Sequence, residues 1–346
     1  MKLGLLLRYH GEVGGPDIDL VLEAERLGYD SVWSGESYGT DSVTPTTWVL
    51  SRTTKIKAGT GIMQMSARTP AMTAMTAMTL QAMSNNRFLL GIGPSGPQVV
   101  EGWHGLPYGK PLARTKEYAA ILRKIFARES GLEHTSEHYQ IPYNGPGASG
   151  LGKPLKSILK PIAPIPIYTA AIAPAGLRTA GEVADGVQPI FMSPEKSDLI
   201  VKPVLEGRAA AGRPRSLADF DITPFVRVAM GSDLQKCRDA IRPEMALYIG
   251  GMGAREKNFY NDYAKRLGFE EAAAKIQDAF LGGRRNEAMA AVPDSFIDQT
   301  ALVGTPDRIK ARVKEWKAAA KDNHIGSMLI GGADATALRV IAEAAA

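Results

Sequence analysis

Strand-like and helix-like segments alternate along almost the whole chain, and that order constrains the fold more than any other feature of the sequence. It is the order of a parallel sheet with helical crossovers. Strands are expected at Lys2–Leu7, Ser31–Trp33, Lys55–Ile62, Phe88–Ile92, Ile167–Ala170, Val187–Ile190, Thr223–Met230 and Ser327–Ile330. Eight such strands in 346 residues predict an α/β fold, a (β/α)8 TIM barrel forming one domain over residues 1–346.

The helical segments carry their own punctuation. Ile18, Val21, Ala24 and Leu27 form a stripe that stops at Gly28, a natural C-terminal cap. Thr305-Pro306 starts another helix, with Ile309, Val313 and Trp316 behind it. Met72, Met75 and Met78 recur every third residue and are read as core packing. Two stretches exceed ordinary crossover length. Residues 128–165 are rich in Gly and Pro, with a hairpin expected around His134–Ile141. Residues 251–300 read as short helices at Asn258–Leu267, Glu270–Phe280 and Arg285–Ala290. Such insertions are expected over the carboxyl-terminal face of the strands, where barrels keep their active sites.

Charge and composition narrow the function classes. The net charge of +5 comes without a Lys/Arg block, so no nucleic-acid partner is expected. The mild excess suits a small anionic ligand; Lys153, Lys156 and Lys160 either line such a site or decorate a solvated loop. The apolar stretch after Lys2 stops at Arg8, too short for a secretory signal, and nothing reads as a membrane span. Cys237 is the single cysteine, excludes an internal disulfide and reads as a buried structural thiol, so a cytoplasmic setting is expected.

Two strings match known motifs only in letters. Gly91-Ile92-Gly93-Pro94-Ser95-Gly96 spells the dinucleotide fingerprint after a strand, but Pro94 and Pro97 disturb the required helix start, and Glu117 falls in a helical pattern. The string is better read as a tight turn whose N–H groups cradle a phosphate. His134-Thr135-Ser136-Glu137-His138 spells a zinc-protease motif, whose chemistry needs both His on one helix face. A hairpin is expected there instead, and no metal. No G-x-S-x-G elbow is present to carry hydrolysis.

Four stretches taken together carry a resemblance. They are Tyr29-Asp30-Ser31-Val32-Trp33 running into Glu36; Gly59-Thr60-Gly61-Ile62; Arg87-Phe88-Leu89-Leu90-Gly91-Ile92-Gly93; and Ala170-Ala171 through Pro174, ahead of Ala184-Asp185-Gly186. Their order and spacing resemble the bacterial luciferase-like superfamily, in particular its coenzyme F420-dependent oxidoreductases. The resemblance implies a deazaflavin ring held at the carboxyl ends of the barrel strands. It implies a cis peptide bond between Gly61 and Ile62 behind that ring, although trans is the ordinary preference outside proline. It further implies cofactor contacts from Gly61, Ile62 and Met63, from Gly93, Pro94, Ser95, Gly96 and Gln98, and from Ala170, Ala171 and Ile172. Glu36 matches an acidic residue near the ring. The sugar-phosphate dehydrogenase branch has a glutamate where Gly96 stands and Asp-His where Glu36-Ser37 stands, which points away from sugar-phosphate oxidation. Arg8, Tyr9 and His10, just past the first strand, lie where a replacement proton donor is needed; Arg8 and His10 join Glu36 as candidate catalytic residues.

The expected function is therefore hydride transfer between coenzyme F420 and a small organic substrate. A reduced-FMN monooxygenase of the same fold and a non-catalytic flavin-binding barrel are the alternatives. A second copy of the chain, giving a homodimer, is the expected protein partner.

Overall fold

The structure is a computed structural model that describes residues 1–8 and 15–346. Among these residues, eight parallel strands form the staves of a barrel: β1 (Lys2–Leu6), β2 (Ser31–Ser34), β3 (Lys57–Thr60), β4 (Phe88–Gly93), β5 (Ile167–Ala170), β6 (Gly186–Gln188), β7 (Phe225–Met230) and β8 (Ser327–Gly331). Each pairs with its predecessor from β1 to β6, and β8 pairs with both β7 and β1. The two-residue strand Asp221–Ile222 on β6, together with a bridge between Ile190 and Phe225, closes the ring. A further parallel strand, Leu302–Gly304, extends the pairing at the carboxyl end of β7.

The helices of the described residues are α1 (Ile18–Arg26), α2 (Val43–Arg52), α3 (Pro70–Met83), α4 (Pro111–Ala127), α5 (Pro174–Val183), α6 (Asp198–Ala210) and α7 (Leu234–Ala246). They continue with α8 (Phe259–Arg266), α9 (Glu270–Leu281), α10 (Arg285–Ala290), α11 (Asp294–Thr300), α12 (Pro306–Ala319) and α13 (Ala335–Ala345). The four-residue turn Pro97–Val100 is also helical and is described with the site. α1 forms as its punctuation predicts. The Asp17 carboxylate accepts the Leu20 N–H at 3.0 Å, Val21 and Ala24 are buried, and Gly28 ends the turn at φ +80°. Burying an aliphatic side chain such as Val21 contributes roughly 1.5–3 kcal/mol.

The methionine stripe does not pack as expected. Met72 and Met75 are exposed, and only Met78 reaches the core, beside Thr73, Ala74, Ala77 and Leu80. A repeat of three falls short of the helical 3.6, so each step turns the side chain by about 60° around the axis. Three such residues cannot share one face.

Inside the staves, Trp33, Leu89, Tyr168 and Leu329 fill the barrel, with Leu6 and Phe225 against them. The Trp33 and Tyr168 rings meet edge to face, 5.0 Å apart. This plug depends on Gly59, where a β-carbon would stand 2.7 Å from the Trp33 ring and 2.8 Å from the Leu89 carbonyl oxygen. At the amino ends of the strands, Asp221 accepts from Tyr168 at 3.2 Å and from Ser327 at 3.0 Å. Burial raises the Asp221 carboxyl above its ordinary range.

The two long insertions start from opposite ends of the barrel, and the hairpin of the first climbs α4 to Lys110, on the carboxyl side. Residues 128–165 join α4 to β5, so they leave and return at the amino ends of the strands rather than the carboxyl ends. Their hairpin, His134–Thr135 against Gln140–Ile141, lies along the flank of α4, where Glu117 takes the His138 ring at 3.0 Å and Glu137 reaches Lys110 ahead of the helix. His134 bonds Ser136, so the two histidines have separate partners. Lys153, Lys156 and Lys160 lie exposed on this loop. Residues 251–300 hold α8 to α11, one helix more than the sequence suggests, and these do stand on the carboxyl ends: Lys196 donates to the Leu267 carbonyl and Arg266 to the Ile172 carbonyl.

Candidate active site

The site begins where β3 stops. The peptide bond between Gly61 and Ile62 is cis, as the resemblance implies. The Gly61 N–H donates to the Ser34 carbonyl at the end of β2 at 2.7 Å. After this break the chain resumes pairing as Met63–Gln64, with Met63 against Ile92 and Gln64 against Gly93. The Thr60 hydroxyl donates to the Gly91 carbonyl at 2.7 Å and accepts from the Gly91 N–H at 3.0 Å. The ends of β3 and β4 are thereby fixed to each other. Gly91 is obligatory, since a β-carbon there would lie 1.9 Å from the Thr60 carbonyl oxygen. Ile62 lies over Gly93, its Cδ1 2.9 Å from where a β-carbon would stand.

Beyond Gly93 the chain turns through Pro94, Ser95 and Gly96, all half-buried, with Ser95 left-handed at φ +57°. Gly96 then precedes the four-residue helix Pro97–Val100, and the Gln98 side chain lies close over it. β5 pairs alongside β4, with Thr169 opposite Ile92, which brings Ala170, Ala171 and Ile172 beside this turn. α5 opens at Ala173, a residue with no side chain able to cap it. The three stretches that the sequence assigns to the cofactor therefore lie side by side at the ends of β3, β4 and β5.

Glu36 differs from the sequence expectation in its surroundings. Its side chain is only 7% exposed, and both oxygens are occupied. One accepts from Arg68 at 2.7 Å and from the Gln64 N–H at 3.0 Å; the other accepts from the Ser42 N–H at 2.9 Å and its hydroxyl at 3.1 Å. Gln64 returns the contact, donating to the carbonyls of Glu36 and Ser37, while its amide oxygen meets His104. A solvated loop carboxylate is excluded: Glu36 fastens the loop after β2 to the segment after Gly61–Ile62. Arg8 stands exposed two residues past β1, and His10 lies outside the described residues.

Several polar groups at the mouth carry no local sequence signal. Arg227 points inward from β7 towards Gly331 and pairs with Glu244 of α7. Burial opposes its charge, but the pairing outweighs burial and raises the Arg227 pKa. Gln188, the last residue of β6, is buried beside Gly61 and Gly91. Arg266 of α8 donates to the Ile172 carbonyl at 3.0 Å and lies over the Tyr263 ring. Burial lowers its pKa, and no carboxylate among the described residues forms a salt bridge with it. Tertiary folding, rather than a motif, brings each of them to the site.

The sequence profile of the luciferase-like monooxygenase family matches residues 4–323, nearly the whole barrel. The chain belongs to that family. Among its relatives in the family is a Mycobacterium tuberculosis protein, itself provisionally assigned as a coenzyme F420-dependent oxidoreductase; the two are 42% identical over 321 residues, 92% of each chain. The 5,10-methylenetetrahydromethanopterin reductase of Methanolobus tindarius is 31% identical over 84% of this chain and 83% of its own. In fold, the F420-dependent tetrahydromethanopterin reductase of Methanopyrus kandleri superposes with a TM-score of 0.78 at 21% identity, covering 99% of this chain and 97% of that one. That likeness shows the fold, an α/β barrel. No helix among the described residues is long and apolar enough to cross a membrane.

Proposed function

We propose that this chain is a coenzyme F420-dependent oxidoreductase acting on a small organic substrate. The observation that carries the reading is the 42% identity, along 92% of both chains, to a protein provisionally assigned that activity. The residues at the mouth fit such a cofactor. Ile62, seated over Gly93 at the end of β3, offers an apolar support for a planar ring. The turn Gly93–Gly96, the uncapped start of α5 and Arg266, which pairs with no carboxylate among the described residues, suit an anionic tail.

When bound, the deazaflavin supplies two-electron hydride exchange at its ring carbon C5. The protein orients and encloses. Ile62 would support the ring, whereas Met63, expected beside it, is buried under α3 with its sulfur accepting from the Thr73 hydroxyl. Ser95, Gly96 and Gln98 would meet the tail from β4, and Ala170, Ala171 and Ile172 from β5. Glu36 positions the Gln64 segment rather than touching the reacting atoms. Arg8, which cannot give up its proton, orients the substrate at the rim, and His10 supplies or takes the proton. The insertion at 251–300 forms the substrate wall. The enzyme works in the cytoplasm as a homodimer, whose face includes the exposed Trp48, Met72 and Met75 of α2 and α3.

Titration of the purified protein with coenzyme F420 and FMN in parallel, followed by absorbance and fluorescence, tests the reading. Tighter binding of F420 is expected. Equal or reversed affinities at low salt, with turnover from reduced FMN and oxygen, would replace it with the monooxygenase reading.

A further inference from the structure

The carboxamide of Gln188 is buried at the barrel mouth with its hydrogen-bonding capacity wholly unused. Gln188 is 3% exposed, and neither Oε1 nor Nε2 has a partner among the described residues. The two atoms lie 3.4 and 3.5 Å from where a β-carbon on Gly61 would stand, and Oε1 lies 3.3 Å from the same point on Gly91. The Phe225 ring borders the same spot. The group therefore sits inside the mouth, directly against the Gly61–Ile62 break.

A buried amide left unpaired is destabilising, and an apolar side chain of the same shape avoids that cost. Other polar side chains nearby are occupied: Gln64 with Glu36, Ser37 and His104, and Arg227 with Glu244. A carboxamide presents one acceptor beside one donor. Its complement is a group with an N–H next to a carbonyl, and the pyrimidine edge of a flavin or deazaflavin ring carries such an imide.

We propose that Gln188 is the recognition residue for the imide edge of the cofactor ring. A turn about its last side-chain bonds brings its oxygen onto the ring N3–H and its NH2 onto the adjacent carbonyl. The proposal rests on the deazaflavin reading and adds to it the orientation of the ring, imide edge inward at β6.

The test compares 8-hydroxy-5-deazariboflavin with its N3-methyl derivative by fluorescence titration, on the wild type and on Gln188→Met, with thermal unfolding of both proteins without ligand. N3-methylation is expected to weaken binding to the wild type about tenfold, the loss of one or two neutral hydrogen bonds. Gln188→Met is expected to bind the unmethylated ring equally weakly, to ignore the methyl group, and to unfold at or above the wild-type temperature. A wild type that binds both compounds equally overturns the role of Gln188 and leaves the deazaflavin reading standing; a wild type that binds neither overturns both. Should the variant fail to fold, the wild-type comparison alone decides.

Discussion

Glu36 and Arg68 form an ion pair at 2.7 Å, and the same carboxylate oxygen holds the Gln64 N–H at 3.0 Å. The pair joins the loop after β2 to the segment that follows Gly61–Ile62. Its chemistry is that of a clasp. From position alone Glu36 reads as a group affecting turnover more than stability; its four hydrogen bonds reverse that expectation. Replacing Glu36 by Gln removes the charge opposite Arg68 while keeping most of the shape. Breaking a buried pair from one side costs roughly 3–5 kcal/mol, and the 20% exposure of Arg68 places the loss towards or below the lower end of that range. Denaturant unfolding measures it. Wild-type stability in Glu36→Gln would show that the clasp contributes nothing.

On the proposed tail side, Arg266 and the β4 turn are expected to make separable contributions. Arg266→Gln keeps a donor for the Ile172 carbonyl but loses the charge, so F420 affinity is expected to fall about tenfold, with a shallower salt dependence. Gly96→Val adds bulk where, among the described residues, only the flexible Gln98 amide stands close, 3.1 Å from the new β-carbon. The fold should survive and F420 binding weaken. Titration at two salt concentrations, with circular dichroism as the control, separates these outcomes from misfolding. Unaltered affinity in both variants would move the anionic tail elsewhere.

Asp221 gives the amino end of the barrel a pH signature. Burial raises its carboxyl in the folded state, so the folded protein holds this proton more tightly than the unfolded chain does. The associated stability is fully present below the ordinary carboxylate value of 3.8 and is lost as pH rises through the higher folded value. A neutral amide at this position has no such proton to lose. As pH climbs from about 4 towards neutrality, the stability difference should therefore shift in favour of Asp221→Asn over the wild type. Urea midpoints for both proteins across that range give the difference. A gap that stays constant, or moves towards the wild type, would mean that Lys2, Ser327 and Tyr168 outweigh burial.

All eight staves are legible in the sequence because strand patterning is local, yet their ends are not. The strand expected from Lys55 begins at Lys57, because the Glu25 carboxylate, from α1, takes the N–H groups of Thr54, Lys55 and Ile56 and holds them in a loop. The strand expected from Thr223 is broken at Pro224, which has no N–H to give the ladder. The Gly61–Ile62 geometry is legible only through resemblance, since nothing in the residues themselves favours it. Gln188, Arg227 and Arg266 are illegible for a plainer reason. Gln188 meets Gly61 and Gly91, Arg227 meets Gly331, and Arg266 meets Ile172, 94 positions away. No local pattern links residues so distant in sequence, and only closure of the staves and seating of the cap bring them together.

The helices of residues 251–300 pack on one another and on α7, whose Arg238 and Arg242 pair with Asp294 and Asp298. Asn261 bonds the carbonyls of Ile249 and Ala273, and the Phe269 and Phe296 rings stack. They meet the strand-end loops through contacts that include Arg266 to Ile172 and Lys196 to Leu267. The barrel's interior plug, by contrast, draws on β1, β2, β4, β5, β7 and β8 and, among the described residues, on nothing from this stretch. Inheritance can therefore act on the two parts at different speeds. A lineage can exchange the cap, the proposed substrate wall, while the staves and the Gly61–Ile62 turn pass down unchanged.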